Sequence, residues 1–168
     1  LEDLIVLKNA SKIYNENLPS EVRALDNVTL TVKKGEFVSI WGQSGSGKST
    51  LMNILGCLDI PTYGEYYLEG ESVNTMSRDK LSKIRSRQIG FVFQGFNLIP
   101  ALTALENVEL PLIYKGTPHS KRRELAMDAL RNVGLEDRAN HRPAEMSGGQ
   151  QQRVAIARAI STSPPIIM

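Results

Sequence analysis

The run Gly42-Gln43-Ser44-Gly45-Ser46-Gly47-Lys48-Ser49-Thr50 limits this chain more than any other segment. Phe37-Val38-Ser39-Ile40-Trp41 precedes it, apolar and rich in strand formers, and Leu51, Ile54, Leu55 and Leu58 follow at helical spacing. The pattern predicts strand, Gly-rich turn, helix. Polyphosphate concentrates several negative charges, which successive backbone N–H groups and a helix N-terminus can meet where no side chain blocks the approach. Gly42, Gly45 and Gly47 remove those side chains. Lys48 adds a point charge for the β- and γ-phosphates, and the Ser49 hydroxyl is placed to ligate Mg²⁺. Ser44, Ser46 and Thr50 complete the candidate nucleotide contacts. The loop alone leaves its class open, because kinases, GTPases and motor ATPases share it.

A second segment, Met146-Ser147-Gly148-Gly149-Gln150-Gln151-Gln152-Arg153, opens another helix. Ser147 and Gln150 have the spacing of a capping box, which needs no function. Two glycines in a first turn are poor helix formers. They suit a backbone that must touch something, and such a helix start is a second anion-shaped site. Between the two segments, Gln88-Ile89-Gly90-Phe91-Val92-Phe93 reads as a buried strand with Gln94 at its end. Ligands of open α/β sheets bind at the carboxyl ends of strands, which brings Gln94 near the phosphates. Tyr14 reads as a strand-edge aromatic. Thr103 and Glu106 form another capping-box pair, so a helix should start there, and Pro111 should bend or end it. Residues 120–133 predict a further helix with Leu125, Ala129, Leu130 and Val133 inward and Gly134 as its stop.

Residues 146–153 resemble the signature of ATP-binding cassette (ABC) proteins, with Met146 where Leu is usual, and the Gly42–Thr50 loop fits the same family. The resemblance implies a P-loop α/β fold: a core sheet, an antiparallel β-subdomain and an inserted helical subdomain. It covers essentially the whole chain as one ABC ATPase domain. Residues 1–93 match the β-rich part with the phosphate loop. Residues 94–143 match the helical subdomain, and 144–168 the signature helix and the start of the next core strand. It implies ATP and Mg²⁺ as ligands, with Tyr14 stacking on adenine and Gln94 contacting Mg²⁺ and the attacking water. Ser147, Gly148, Gly149 and Gln150 would cap the γ-phosphate of ATP held by a facing copy or a close homologue. It further implies an integral membrane permease as partner and a cytoplasmic place on the inner face of the membrane. Residues 38–53 and 89–111 most resemble the group that powers lipoprotein release and macrolide-type efflux. The family's water-activating Glu and its switch His match no position here, so the core sheet is expected to be incomplete at the C-terminus and the chain alone poorly active.

Composition bounds the alternatives. A chain of 168 residues with 41% hydrophobic and 23% charged residues suits one globular domain. A net charge of +2 makes no case for nucleic acid. The single cysteine, Cys57, cannot form an internal disulfide, and His119 and His141 lie far apart, unlike a metal-ligand pair. Residues 88–105 are uncharged but broken by Gln, Asn, Gly, Pro and Thr, a poor spanning helix. The rival function is an ATP-gated ABC scaffold or regulator acting on chromosomes or ribosomes. Such proteins carry coiled-coil insertions or basic arms, and neither occurs in this sequence.

Overall fold

Two long strands, β1 (Asp3–Tyr14) and β2 (Val22–Lys33), pair antiparallel, and β1 also pairs with β3 (Tyr63–Leu68), which pairs with β4 (Glu71–Ser72). The sheet order is β2-β1-β3-β4. The structure, a computed structural model, describes residues 2–168. β1 buries Leu4, Ile5, Leu7, Ala10 and Ile13. This partly alternating pattern suits an antiparallel sheet with one covered face. The helix α1 (Lys48–Leu55) is fixed by Tyr66 of β3, whose buried hydroxyl donates to the Leu55 carbonyl at 2.7 Å. A phenol buried this fully needs such a partner.

The expected strand at 37–41 does not form. No ladder pairs with it, and Phe37 and Trp41 are 95% and 91% exposed. An extended segment apolar on both faces is stable only with hydrogen-bonded neighbours, and no described residue supplies them. The expected strand at 88–93 shrinks to β5 (Ile89–Gly90). Gln88 instead ends the helix α2 (Arg78–Gln88), which sequence patterning missed because its apolar residues are few. β5 pairs in parallel with β6 (Ile166–Ile167), and Val92 N–H extends the pairing to the Met168 carbonyl at 2.7 Å.

The chain divides into two units, Leu1–Ser82 and Lys83–Met168. In the second, α3 (Ala104–Lys115), α4 (His119–Asn132) and α5 (Gly148–Ile160) enclose a core of Leu105, Val108, Leu112, Ala126, Leu130 and Val154, among others. The Thr103–Glu106 capping box is present, with Glu106 N–H donating to Thr103 Oγ1 at 3.2 Å. Pro111 does not end α3, which runs on to Lys115. Burial of Leu112 against the neighbouring helices outweighs the one hydrogen bond that Pro removes. α4 buries Ala126, Ala129 and Leu130 but leaves Leu125 40% exposed, correcting the expected inward face. Ala126 takes the place of Leu125 on the buried face, where its small side chain lets the helices approach closely, while Ala129 and Leu130 are buried as expected. Gly134 stops the helix at φ +67°, a left-handed conformation that glycine adopts without strain.

Candidate functional site

The phosphate loop sits in the first unit, and its glycines are set by contact as well as charge. Gly47 caps α1 at φ +88°, and a Cβ there would run into the Ala24 carbonyl oxygen of β2. The helix start therefore lies against the sheet, with no side-chain cap and no acidic residue in its first turn. Its N–H groups and positive dipole end stay available to an anion. Lys48 folds back over the loop, donating to the carbonyls of Gly42 at 2.8 Å and Gln43 at 2.6 Å and to Ser46 Oγ at 3.3 Å. The loop thus carries its own cation at its rim. Ser44, Gly45 and Ser46 are exposed, so polyphosphate can reach the backbone.

Tyr14 ends β1 and belongs to the same unit. Its hydroxyl donates to Asp59 Oδ2 at 3.0 Å. Lys12 Nζ lies 5.1 Å from the ring centroid and pairs with Asp59 Oδ1 at 2.6 Å. Burial pushes the Asp59 carboxyl up, but hydrogen bonds from Lys12, the Ile60 backbone and Tyr14 outweigh it and hold the group below its usual value. The Tyr14 phenol is raised by partial burial and by the adjacent Asp59 carboxylate. The ring is therefore tethered to Asp59, just beyond the C-terminal end of α1, with Lys12 over one face. Asp59 and Lys12 escaped sequence reasoning. Asp59 lies 45 residues from Tyr14, and no local pattern marks a contact at that separation.

The signature segment lies in the second unit. The capping box is real: Gln150 N–H donates to Ser147 Oγ at 3.2 Å, and Ser147 N–H to Gln150 Oε1 at 2.9 Å. Met146 is buried in the helical core, where an unbranched thioether fills space much as Leu does. Gln151 Nε2 donates to the Pro143 and Met146 carbonyls and fixes the entry into α5. Gly148 and Gly149 are exposed, and a Cβ on either would meet nothing within 4 Å. Internal packing therefore gives no reason for this glycine pair.

Gln94, also in the second unit, is exposed. It follows Phe91 and Phe93, whose rings stack at 5.5 Å between centroids. Beyond it, the fully buried Asn107 side chain accepts from Ile99 N–H at 2.8 Å and donates to the carbonyls of Ile99, Leu102 and Thr103. Sequence reading passed over Asn107 because a polar residue on a helix is by default a surface residue.

A site for Mg²⁺ rests on few protein groups. The Ser49 hydroxyl is exposed in the first turn of α1. Among the described residues, no cluster of three or more His, Cys, Asp or Glu side chains could hold a metal. This donor set fits Mg²⁺, which takes one or two protein oxygens and fills its remaining positions with phosphate and water.

These features define a nucleotide-binding cassette with two separate phosphate-shaped helix starts. A family model described as ABC transporter matches residues 25–168, and the chain belongs to that family. It is 56% identical to an ABC transporter ATP-binding protein of Methanocaldococcus jannaschii, over 98% of this chain and 72% of that protein. It is 54% identical to the macrolide export ATP-binding/permease protein MacB of Brucella melitensis, over 98% of this chain but only 25% of that protein. Among solved structures it is similar to a dimeric ABC transporter cassette, with TM-score 0.88 and 56% identity over 98% of this chain and 72% of that one. It is likewise similar to a dimeric post-hydrolysis cassette bound to ADP and Pi, with TM-score 0.89 and 55% identity over the same shares. The chain is accordingly an ATP-binding and ATP-hydrolysing component of the ABC transporter class. Among the described residues, no helix is long and apolar enough to cross a membrane.

Proposed function

We propose that two copies of this cassette close head to tail on ATP and drive a membrane permease. The observation that carries this reading is the pair of side-chain-free helix starts in one chain, at Gly47 and at Gly148–Gly149. The loop residues 42–50 hold the triphosphate of one copy, and Ser147, Gly148, Gly149 and Gln150 of the other cover its γ-phosphate. With the Ser147 and Gln150 side chains engaged in capping, the free backbone N–H groups of the first turn supply most of that contact. Lys48 balances charge on the β- and γ-phosphates. Ser49, with Gln94 as the family resemblance implies, would hold Mg²⁺, which would add further neutralisation of that charge. Water attacks the γ-phosphorus as the bond to the β–γ bridging oxygen breaks, and ADP and phosphate leave. The contribution of residues 1–168 is binding, orientation and charge stabilisation.

Tyr14 is proposed to stack on adenine. Tyr14→Ala should weaken ATP binding by about 1–3 kcal/mol, the range for a base on an aromatic side chain. Tyr14→Phe and Tyr14→Trp, which keep a ring but lose the hydroxyl tether to Asp59, should each retain most of the affinity, with a loss of at most roughly two- to tenfold. Titration calorimetry with ATP and with tripolyphosphate separates base from phosphate effects. Equal ATP affinities across the series would return Tyr14 to a structural role.

Residues 96–112 are proposed to meet the permease, and the relatives named as ATP-binding/permease proteins support such a partner. Asn97, Ile99, Pro100 and Ala101 are exposed on a loop that Asn107 holds from beneath. The cassette then lies on the cytoplasmic face through that partner. Cysteines placed at Asn97 or Ala101 of the full-length protein should cross-link the membrane partner in isolated membranes. Capture only from the strand region 4–32 would overturn this surface.

A further inference from the structure

The guanidinium of Arg158, on the signature helix α5, donates to the Phe96 carbonyl at 2.7 Å and the Asn97 carbonyl at 2.6 Å. Those residues follow Gln94 directly, and both are left-handed, Phe96 at φ +60° and Asn97 at φ +48°. Two consecutive non-glycine residues in that region are strained and persist only where surrounding structure holds them. Among the described residues, the bend is otherwise held by Phe96 N–H on the Phe93 carbonyl and Asn97 N–H on the Gly95 carbonyl. Arg158 forms no ion pair with any described carboxylate, and it is half-buried. Burial lowers its guanidinium below its usual value, the expected effect of removing a cation from water without a counter-charge. Such placement is unfavourable unless the group is hydrogen-bonded, and its described partners are these two carbonyls.

We infer that Arg158 is a positioning residue: it clamps the strained Phe96–Asn97 bend and so ties the loop behind Gln94 to the helix that begins at Ser147. The consequence rests on the proposed roles of Gln94 and the signature. A movement of α5 when its N-terminus meets nucleotide is passed directly to the backbone beside Gln94. A carbonyl pair held by a planar fork keeps its orientation. The single ammonium of lysine cannot hold both carbonyls in the same way.

The test uses the full-length protein with Arg158→Met, which keeps an apolar stem and loses the donors, Arg158→Lys, and Asn97→Gly alone and combined with Arg158→Met. Glycine adopts the left-handed conformation without strain, so Asn97→Gly relieves what the clamp holds. Amide hydrogen exchange without nucleotide reads the clamp itself. In Arg158→Met, exchange at residues 95–98 should rise about tenfold while Val108, Leu130 and Val154 stay protected. In steady-state hydrolysis kcat should fall about tenfold with KM for ATP changed less than about twofold. Arg158→Lys should fall between, and Asn97→Gly should restore a large part of the Arg158→Met loss. Unchanged exchange in the loop, unchanged kcat, or no rescue by Asn97→Gly overturns the proposal. If Arg158→Met loses protection throughout the helical core, the comparison passes to Arg158→Lys with and without Asn97→Gly, under the same criteria. A loop that loosens as expected in a protein whose hydrolysis ignores Lys48→Ala would instead locate the failure in the nucleotide assignment.

Discussion

Lys48→Ala in the full-length protein is expected to abolish measurable ATP turnover and to weaken ATP binding at least about tenfold. Lys48 Nζ lies at the rim of the phosphate loop on the Gly42 and Gln43 carbonyls. There it can exchange those neutral acceptors for charged phosphate oxygens. A hydrogen bond to a charged group is worth about 1.5–3 kcal/mol, roughly ten- to more than a hundredfold in affinity. Turnover should fall further than binding, because charge at the γ-phosphate grows in importance as the bond breaks. The α1 start should stay folded, since Gly47 packs on β2 and Tyr66 anchors Leu55 without help from Lys48. Equilibrium binding of a fluorescent ATP analogue and a phosphate-release assay check both parts. Normal affinity and hydrolysis in a folded variant would remove the loop from the mechanism.

The second large effect concerns the facing copy. In a full-length variant whose water-activating Glu is neutralised, ATP should drive dimerisation. Adding Gly149→Asp or Ser147→Arg should stop it while leaving ATP binding by the monomer nearly intact. Gly149 has open space around its Cα, so Asp fits without disturbing the fold and its charge is aimed outward, toward the proposed γ-phosphate position. A like charge there opposes closure by several kcal/mol where water is excluded. Ser147→Arg also loses the N-cap, at a cost of about 1 kcal/mol to the helix. Gly149→Asp is therefore the cleaner arm, because the Ser147–Gln150 box is untouched. Sedimentation with and without ATP reads the outcome. Normal dimerisation of Gly149→Asp, or loss of its monomer binding, would leave the capping box as a sufficient account of this segment.

The outcomes of the sequence reading follow the range of the interactions involved. Both capping boxes, the helix stop at Gly134 and the Gly-rich start of α1 are local, decided by residues within about one turn, and all are present. The β-rich early part, expected through the family resemblance, forms the antiparallel strands β1 and β2, each 12 residues long. The segment 37–41 failed because strand propensity has no effect without a neighbour to pair with, and pairing is not written in the segment itself. Leu125 failed for a related reason. Periodicity marks a stripe within a residue or so, while the size of Ala126 and the position of the adjoining helices choose which side chains enter the core.

The sequence by itself carried the chemical signals: a Gly-rich loop with phosphate-binding spacing, a second glycine-opened helix start, and through them the family. Those signals are contiguous, so the order of residue types already states which backbone N–H groups are bare and where the cation stands. Tertiary structure alone decided which distant side chains discipline these segments. Asp59 and Lys12 hold Tyr14, Asn107 props residues 99–103, and Arg158 grips Asn97 and Phe96 across 61 and 62 residues of chain. Each is an ordinary polar residue in its local sequence. Each acquires a role only when folding places its donors or acceptors against backbone or side-chain groups that water would otherwise satisfy.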